Sequence, residues 1–293
     1  MGVTPNLAAR LQSLAQPGSL VIADRTKKLI GNLFDCQDIG SVSVKGYGEP
    51  IQAWRVRGLG KVESRFEGLR SGDGPLIGRE EEIELLWRRW AQTKSGEGRV
   101  ILLCGQPGIG KSRLVATFLD GIAGEPHARL QYFFSPYHQS SALYPVISRL
   151  GHAARLERDD DATVRLAKLD TLLARTSTAP EDAALIADLL SLPAGSRYPP
   201  LDLTPQQRKS RTLQAMVRQL QALSHAQPVL MVFEDAHWSD PSTIELLDLI
   251  IERVQALPAL LVVTFRPEFE PPWTGQSRAN NPQQSWGFEG EPP

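Results

Sequence analysis

Between an apolar run, Val100 to Cys104, and a helical pattern that begins at Lys111 lies the octet GQPGIGKS, Gly105 to Ser112. It matches Gly-x-x-x-x-Gly-Lys-Ser at every fixed position, and its flanks supply the preceding strand and following helix that the pattern requires. Glycines at 105, 108 and 110 are expected to take positive φ and turn their N–H groups inward, where the helix N-terminus adds further donors. Such a concavity fits phosphate oxygens, and the segment Gly105, Gln106, Pro107, Gly108, Ile109, Gly110, Lys111, Ser112 and Arg113 reads as a P-loop. Lys111 is expected to reach the β and γ phosphates of a triphosphate, and Ser112 to offer its hydroxyl to Mg²⁺. ATP with Mg²⁺ is the expected ligand.

Further apolar runs at Leu130 to Phe134, Val229 to Phe233 and Leu260 to Thr264 are separated by helical patterns. Runs apolar at every position suit a parallel sheet covered on both faces, so this portion is expected to be α/β, a P-loop nucleoside triphosphatase sheet. A charged helix is expected over Arg79 to Thr93, and the P-loop helix from Lys111 to about Ile122. The stretch from Leu143 to Leu223 reads as helical, broken near Pro193 to Pro205. It is expected to form a helical insertion or lid over one sheet edge.

The run Val229 to Phe233 ends in Glu234 and Asp235, at the carboxyl end where open α/β sheets bind ligands. Two adjacent carboxylates there suit one ligand to Mg²⁺ and one group that polarises the attacking water; residue type alone does not assign the roles. His237 follows, either structural or a γ-phosphate sensor. Asp240 precedes Pro241 and a helical run, which is the pattern of an N-cap. At the tip of the run Leu260 to Thr264, Thr264 and Arg266 are placed to face the γ-phosphate, with a local salt bridge as the other reading of Arg266.

A formal net charge of −1 and the lack of any dense Lys/Arg block argue against nucleic acid or an anionic membrane surface as the main partner. Cys36 and Cys104 stand far apart with no Cys-x-x-Cys, suggesting neither a disulfide framework nor a zinc site and fitting a reducing cytoplasm. No apolar run approaches the ~18 residues that span a bilayer, and no secretory signal pattern is present.

Ahead of the P-loop portion, Leu7, Ala8, Leu11 and Leu14 recur at helical spacing over Thr4 to Ala15, and Pro17-Gly18 ends the pattern. Short strands are expected at Ser19 to Ile22, Phe34 to Ile39 and Ile51 to Val56, an α+β segment over residues 1–57. Its few large apolar side chains suit a piece of a domain better than a whole one, with more expected upstream of Met1. Residues 58–74 read as a linker, 75–270 as the P-loop domain and 271–293 as a tail without regular structure.

Four stretches together, LIGREEEIELL (Leu76 to Leu86), GQPGIGKS, FEDAHWSDPST (Phe233 to Thr243) and VVTFRPEF (Val262 to Phe269), resemble the AAA-like ATPase domain of the STAND class of signal-transduction ATPases. The resemblance implies that Gly78 and Arg79 pack near the adenine and that Arg266 acts as a strand-end sensor. It further implies a slowly hydrolysing switch that exchanges ADP for ATP, with self-association or a cyclase partner domain. Members normally continue into a winged-helix module and helical repeats, and nothing after Pro271 resembles either.

The first segment resembles the carboxyl end of a class III adenylate/guanylate cyclase domain, through TPNLAARLQSLAQPGSLVIA (Thr4 to Ala23) and VKGYGEPIQAWRV (Val44 to Val56). On that resemblance Asn6 and Arg10 fall on transition-state-stabilising positions and Lys45 on a terminal-phosphate contact; spacing alone makes Asn6 and Arg10 a solvated helix face. That family's metal-binding aspartates lie earlier in its fold, so cyclisation is not expected of this chain, which looks like an internal fragment of a larger bacterial signalling protein. Active cyclisation and a non-catalytic interaction module remain the alternatives. An ABC transporter subunit is disfavoured by the lack of an LSGGQ-like stretch, and a phosphotransfer kinase by the lack of an acceptor site.

Overall fold

A computed structural model describes residues 3–31, 34–44, 47–59, 76–157, 159–193, 195, 197–273 and 284–287, with the backbone alone at 3–6, 59 and 284–287. The chain divides into two units, Met1–Ile77 and Gly78–Pro293.

In the first unit, α1 (Val3–Gln12) leads to β1 (Leu20–Ala23), α2 (Asp24–Ile30), β2 (Phe34–Val42) and β3 (Ile51–Leu59). The strands form an antiparallel sheet in the order β1-β3-β2. Leu11, Val21, Ala23 and Ala53 form its buried cluster. The three strands fall where the apolar runs placed them. α2 was not foreseen: none of its residues is buried, so it carries no apolar periodicity, and an i,i+4 ion pair between Lys28 and Asp24 and the C-cap at Gly31 mark it instead. Strand β3 runs two residues into the expected linker, and 60–75 lie outside the described residues.

The second unit runs α3 (Glu80–Lys94), β4 (Arg99–Cys104), α4 (Lys111–Gly121), β5 (Ala128–Phe133), α5 (Tyr144–Ala153), α6 (Ala162–Leu173), α7 (Pro180–Leu189), α8 (Pro205–Ala226), β6 (Val229–Glu234), α9 (Pro241–Val254), β7 (Ala259–Phe265) and β8 (Gln284–Gly287). Its strands pair in the order β5-β6-β7-β4-β8, all parallel. Every residue of β6 and β7 is buried, as a parallel sheet covered on both faces demands. Because β4 pairs with β7 while the chain continues from β4 to the distant β5, connections diverge beside β4, the topology in which open α/β sheets take ligands at the carboxyl ends of their strands, here those of β4, β7 and β6.

Close packing fixes β4 at its start. A Cβ on Gly98 would lie 1.7 Å from the Val254 carbonyl oxygen, so only glycine lets the end of α9 pass. On one flank α3 buries Ile83, Leu86 and Trp90 at helical spacing, and the Trp90 indole donates to Glu125 Oε2 at 2.8 Å.

The helical insertion is present as α5 to α8, and among the described residues no regular helix lies between Leu189 and Pro205, around the break expected near Pro193 to Pro205. Asp161 caps α6, while Thr204 and Gln207 form a reciprocal capping box at the start of α8. α5 packs on the edge strand β5, and α8 packs on α7, α9 and β6. A bidentate pair, Arg218 to Asp182 with both contacts at 2.6 Å, ties α8 to α7. Of the tail expected without structure, Pro271–Trp273 and the backbone of β8 are described, β8 as a strand on β4; the other tail residues lie outside the described ones.

Candidate nucleotide site

The P-loop follows β4 and runs through Gly110, the N-cap of α4, into the first residues of that helix. Gly108 and Gly110 have φ of 82° and 98°, a left-handed region that a side chain resists. Gly105 behaves otherwise than expected: instead of a positive-φ turn it prolongs the sheet, its N–H donating to the Phe265 carbonyl at 3.2 Å. Gln106, Pro107 and Gly108 are exposed, Ile109, Ser112 and Arg113 half-buried.

Lys111 is the centre of the site. Only 7% exposed, it donates from Nζ to the carbonyls of Gly105 at 2.6 Å and Gln106 at 3.0 Å. Burial lowers its pKa, opposed by the negative charge of Asp235 and reinforced by Arg266; Cys104 and Glu268 also act on it. An ammonium removed from water and held by two carbonyls is poised to exchange them for phosphate oxygens.

Opposite stands the tip of β6. Glu234 is the last strand residue and is buried; its carbonyl accepts from Phe134 at 3.1 Å. Asp235 then turns left-handed, φ 62° and ψ 44°, and its N–H donates to Thr264 Oγ1 at 2.9 Å. Thr264, expected to face a phosphate, uses its hydroxyl oxygen here to accept from the Asp235 backbone.

A short 3-10 turn, Ala236–Trp238, follows. Neither ring nitrogen of His237 has a hydrogen-bond partner among the described residues. Burial lowers its pKa, Asp235 opposes, and Arg266 and Lys111 reinforce the shift. Arg266 lies over the Trp238 ring, Cζ 5.5 Å from its centroid, a cation–π contact. Asp240 is the N-cap the sequence predicts, accepting from Ser242 and Thr243 at 2.9 and 3.0 Å. It also accepts from the Leu143 N–H at 3.2 Å, joining this loop to the start of the insertion.

Lys111, Asp235, His237 and Arg266 therefore form one electrostatic cluster at the carboxyl ends of β4, β6 and β7, with Glu268 as a fifth member. Glu268 was missed by sequence reasoning, although it sits two residues beyond Arg266 in a stretch already singled out. Gly78 takes φ 69°, and Arg79 pairs with Glu82 at 2.8 Å in the first turn of α3. That helix packs on α4 and β7. Asn6 and Arg10 stand on α1 of the first unit, with Arg10 Nη1 buried and unpartnered among the described residues; Lys45 lies outside them.

No group of three His, Cys, Asp or Glu able to cage a metal occurs among the described residues. Magnesium bound beside a triphosphate needs no such cage, because one or two protein oxygens suffice with phosphate and water. Ser112 on the first turn of α4 and the buried carboxylate-bearing tip of β6 fit that demand. Among the described residues no helix is long and apolar enough to cross a membrane.

Comparison with known proteins agrees with this fold. Residues 75–263, more than half of the chain, match the family model described as AAA ATPase domain. An uncharacterized protein of Rhizobium meliloti (strain 1021) is 29% identical over 274 residues, covering 93% of this chain and 26% of that protein. The alignment is longer than the second unit and so reaches into the first; the chain spans about a quarter of that relative's length.

Proposed function

The chain belongs to the AAA ATPase domain family, and on that premise we propose that its second unit binds Mg-ATP and hydrolyses it slowly, as a nucleotide-dependent switch in a longer signalling protein. The observation that carries this reading is the state of Lys111: buried, clamped to two P-loop carbonyls and within the field of Asp235.

On nucleotide entry Lys111 Nζ leaves the Gly105 and Gln106 carbonyls for the β and γ phosphate oxygens, while P-loop N–H groups and the α4 N-terminus surround the remaining oxygens. Gly78 and Arg79 flank the base. Ser112 and one of Glu234 and Asp235 would hold magnesium, which when bound neutralises charge on the β and γ oxygens. The other carboxylate orients water in line with the γ phosphorus and accepts its proton. Arg266 moves from the Trp238 face toward the γ phosphate, and His237, kept neutral by burial, lies where it senses that group.

The finer part of the proposal is that the switch regulates an adenylate/guanylate cyclase-type module or assembles with copies of itself. It rests on the resemblance of Thr4 to Ala23 and Val44 to Val56 and on Asn6 and Arg10 sharing α1. By this reading the chain alone makes no cyclic nucleotide, and cyclic AMP from the purified protein would contradict it.

Equilibrium binding of Mg-ATP tests the core of the proposal. Wild type is expected to bind and Lys111→Ala to lose about ten- to a hundredfold in affinity, the equivalent of one charge-assisted contact. Equal affinity in the two proteins would refute it.

A further inference from the structure

Thr264 is the penultimate residue of β7 and has no exposed surface. A hydroxyl there is costly unless hydrogen-bonded. Its partner is specific: Thr264 Oγ1 accepts the Asp235 N–H at 2.9 Å. The parallel ladder between β6 and β7 ends at Phe233 and Val263, so the Asp235 N–H lies past the last backbone pair and finds a side chain instead. At that residue the chain turns to φ 62°, a left-handed region that disfavours a residue with a Cβ. A conformation of that kind persists only where its surroundings hold it.

We infer that Thr264 is a positioning residue, whose hydroxyl holds Asp235 in its left-handed turn and so aims the Asp235 carboxylate at the P-loop. The hydrogen bond fixes the peptide plane that carries the Asp235 N–H, and with φ at 62° the orientation of that plane sets the Cα–Cβ direction. The carboxylate so aimed is the one whose charge acts on both Lys111 and His237. Thr264 touches no phosphate in this account and works only through Asp235. The effect on hydrolysis rests on the ATPase reading above; the effect on the backbone does not.

Two variants separate the hydroxyl from the shape of the side chain. Thr264→Val keeps the branched outline and loses the acceptor, whereas Thr264→Ser keeps the acceptor. In Thr264→Val the Asp235 amide should exchange with solvent at least about tenfold faster in nucleotide-free protein, and kcat should fall about ten- to a hundredfold, the usual effect of losing an orienting group. ATP affinity measured without magnesium should stay within about twofold, because Thr264 makes no phosphate contact. Thr264→Ser should restore both exchange and kcat. In an Asp235→Asn background, Thr264→Val should cost no further turnover. Undiminished kcat in Thr264→Val, or a serine variant as impaired as valine, would overturn the inference while leaving nucleotide binding intact. Wild-type protein that binds no ATP would overturn it together with the ATPase reading, and the exchange data would still report whether the hydrogen bond exists.

Discussion

The bodies of β6 and β7 and their carboxyl tips are continuous in sequence yet follow opposite rules. From Val229 to Phe233 and from Ala259 to Val263 every side chain is apolar and at most 1% exposed, and each residue finds its ladder partner. One residue further, Glu234 and Thr264 are polar and still buried, and Asp235 leaves the β region altogether. The bodies hold the two tips side by side in register, and that rigidity lets the tips retain buried polar atoms and a strained residue that would be unfavourable on a looser frame. Stability resides in the first region, and the proposed chemistry in the second.

Perturbing the two regions should therefore give different signatures. In the body, Phe233→Ala empties a fully buried site stacked on Tyr132 with ring centroids 4.3 Å apart. It should lower unfolding stability by about 3–5 kcal/mol in urea titrations, and a loss under about 1 kcal/mol would break the distinction. At the tips, Asp235→Gly should do the reverse: relief of left-handed strain adds about 1 kcal/mol of stability while ATP turnover falls. Destabilisation by that substitution would show that Asp235 supports the fold. Lys111→Ala should leave stability unchanged or slightly raised, since a buried ammonium is removed, although nucleotide affinity drops.

The smallest effect is a pH dependence. Burial holds the His237 pKa below its ordinary value of 6.5, so the unfolded chain binds a proton there more readily than the folded one. Stability should accordingly fall as pH drops below 6.5 toward the lower folded value, and His237→Gln should flatten that part of the profile. A slope unchanged by the substitution would place the titration elsewhere.

Much of the strand framework was legible because apolar runs have few other uses: β4, β6 and β7 match their expected spans to within one residue at either end. The insertion and its break were legible from helical spacing and from Pro193 to Pro205. What stayed hidden depends on pairs distant in sequence. Nothing near Thr264 announces that it accepts from an amide 29 residues earlier, and nothing near Arg266 announces a stack on Trp238. Gly105 shows the opposite error, because a glycine in a Gly-rich motif invites a turn, and here it extends the sheet. In the first unit, α2 buries no residue and so left no periodic trace.

The central claim is that the tips of β6 and β7 act on a nucleotide gripped by the P-loop. Single-turnover hydrolysis of prebound Mg-ATP tests it most directly, comparing wild type with Glu234→Gln and Asp235→Asn, neither of which changes side-chain size appreciably. All three proteins should bind ATP within a few-fold, and at least one variant should lose hydrolysis by about a hundredfold or more. Hydrolysis at the wild-type rate in both variants would contradict the account.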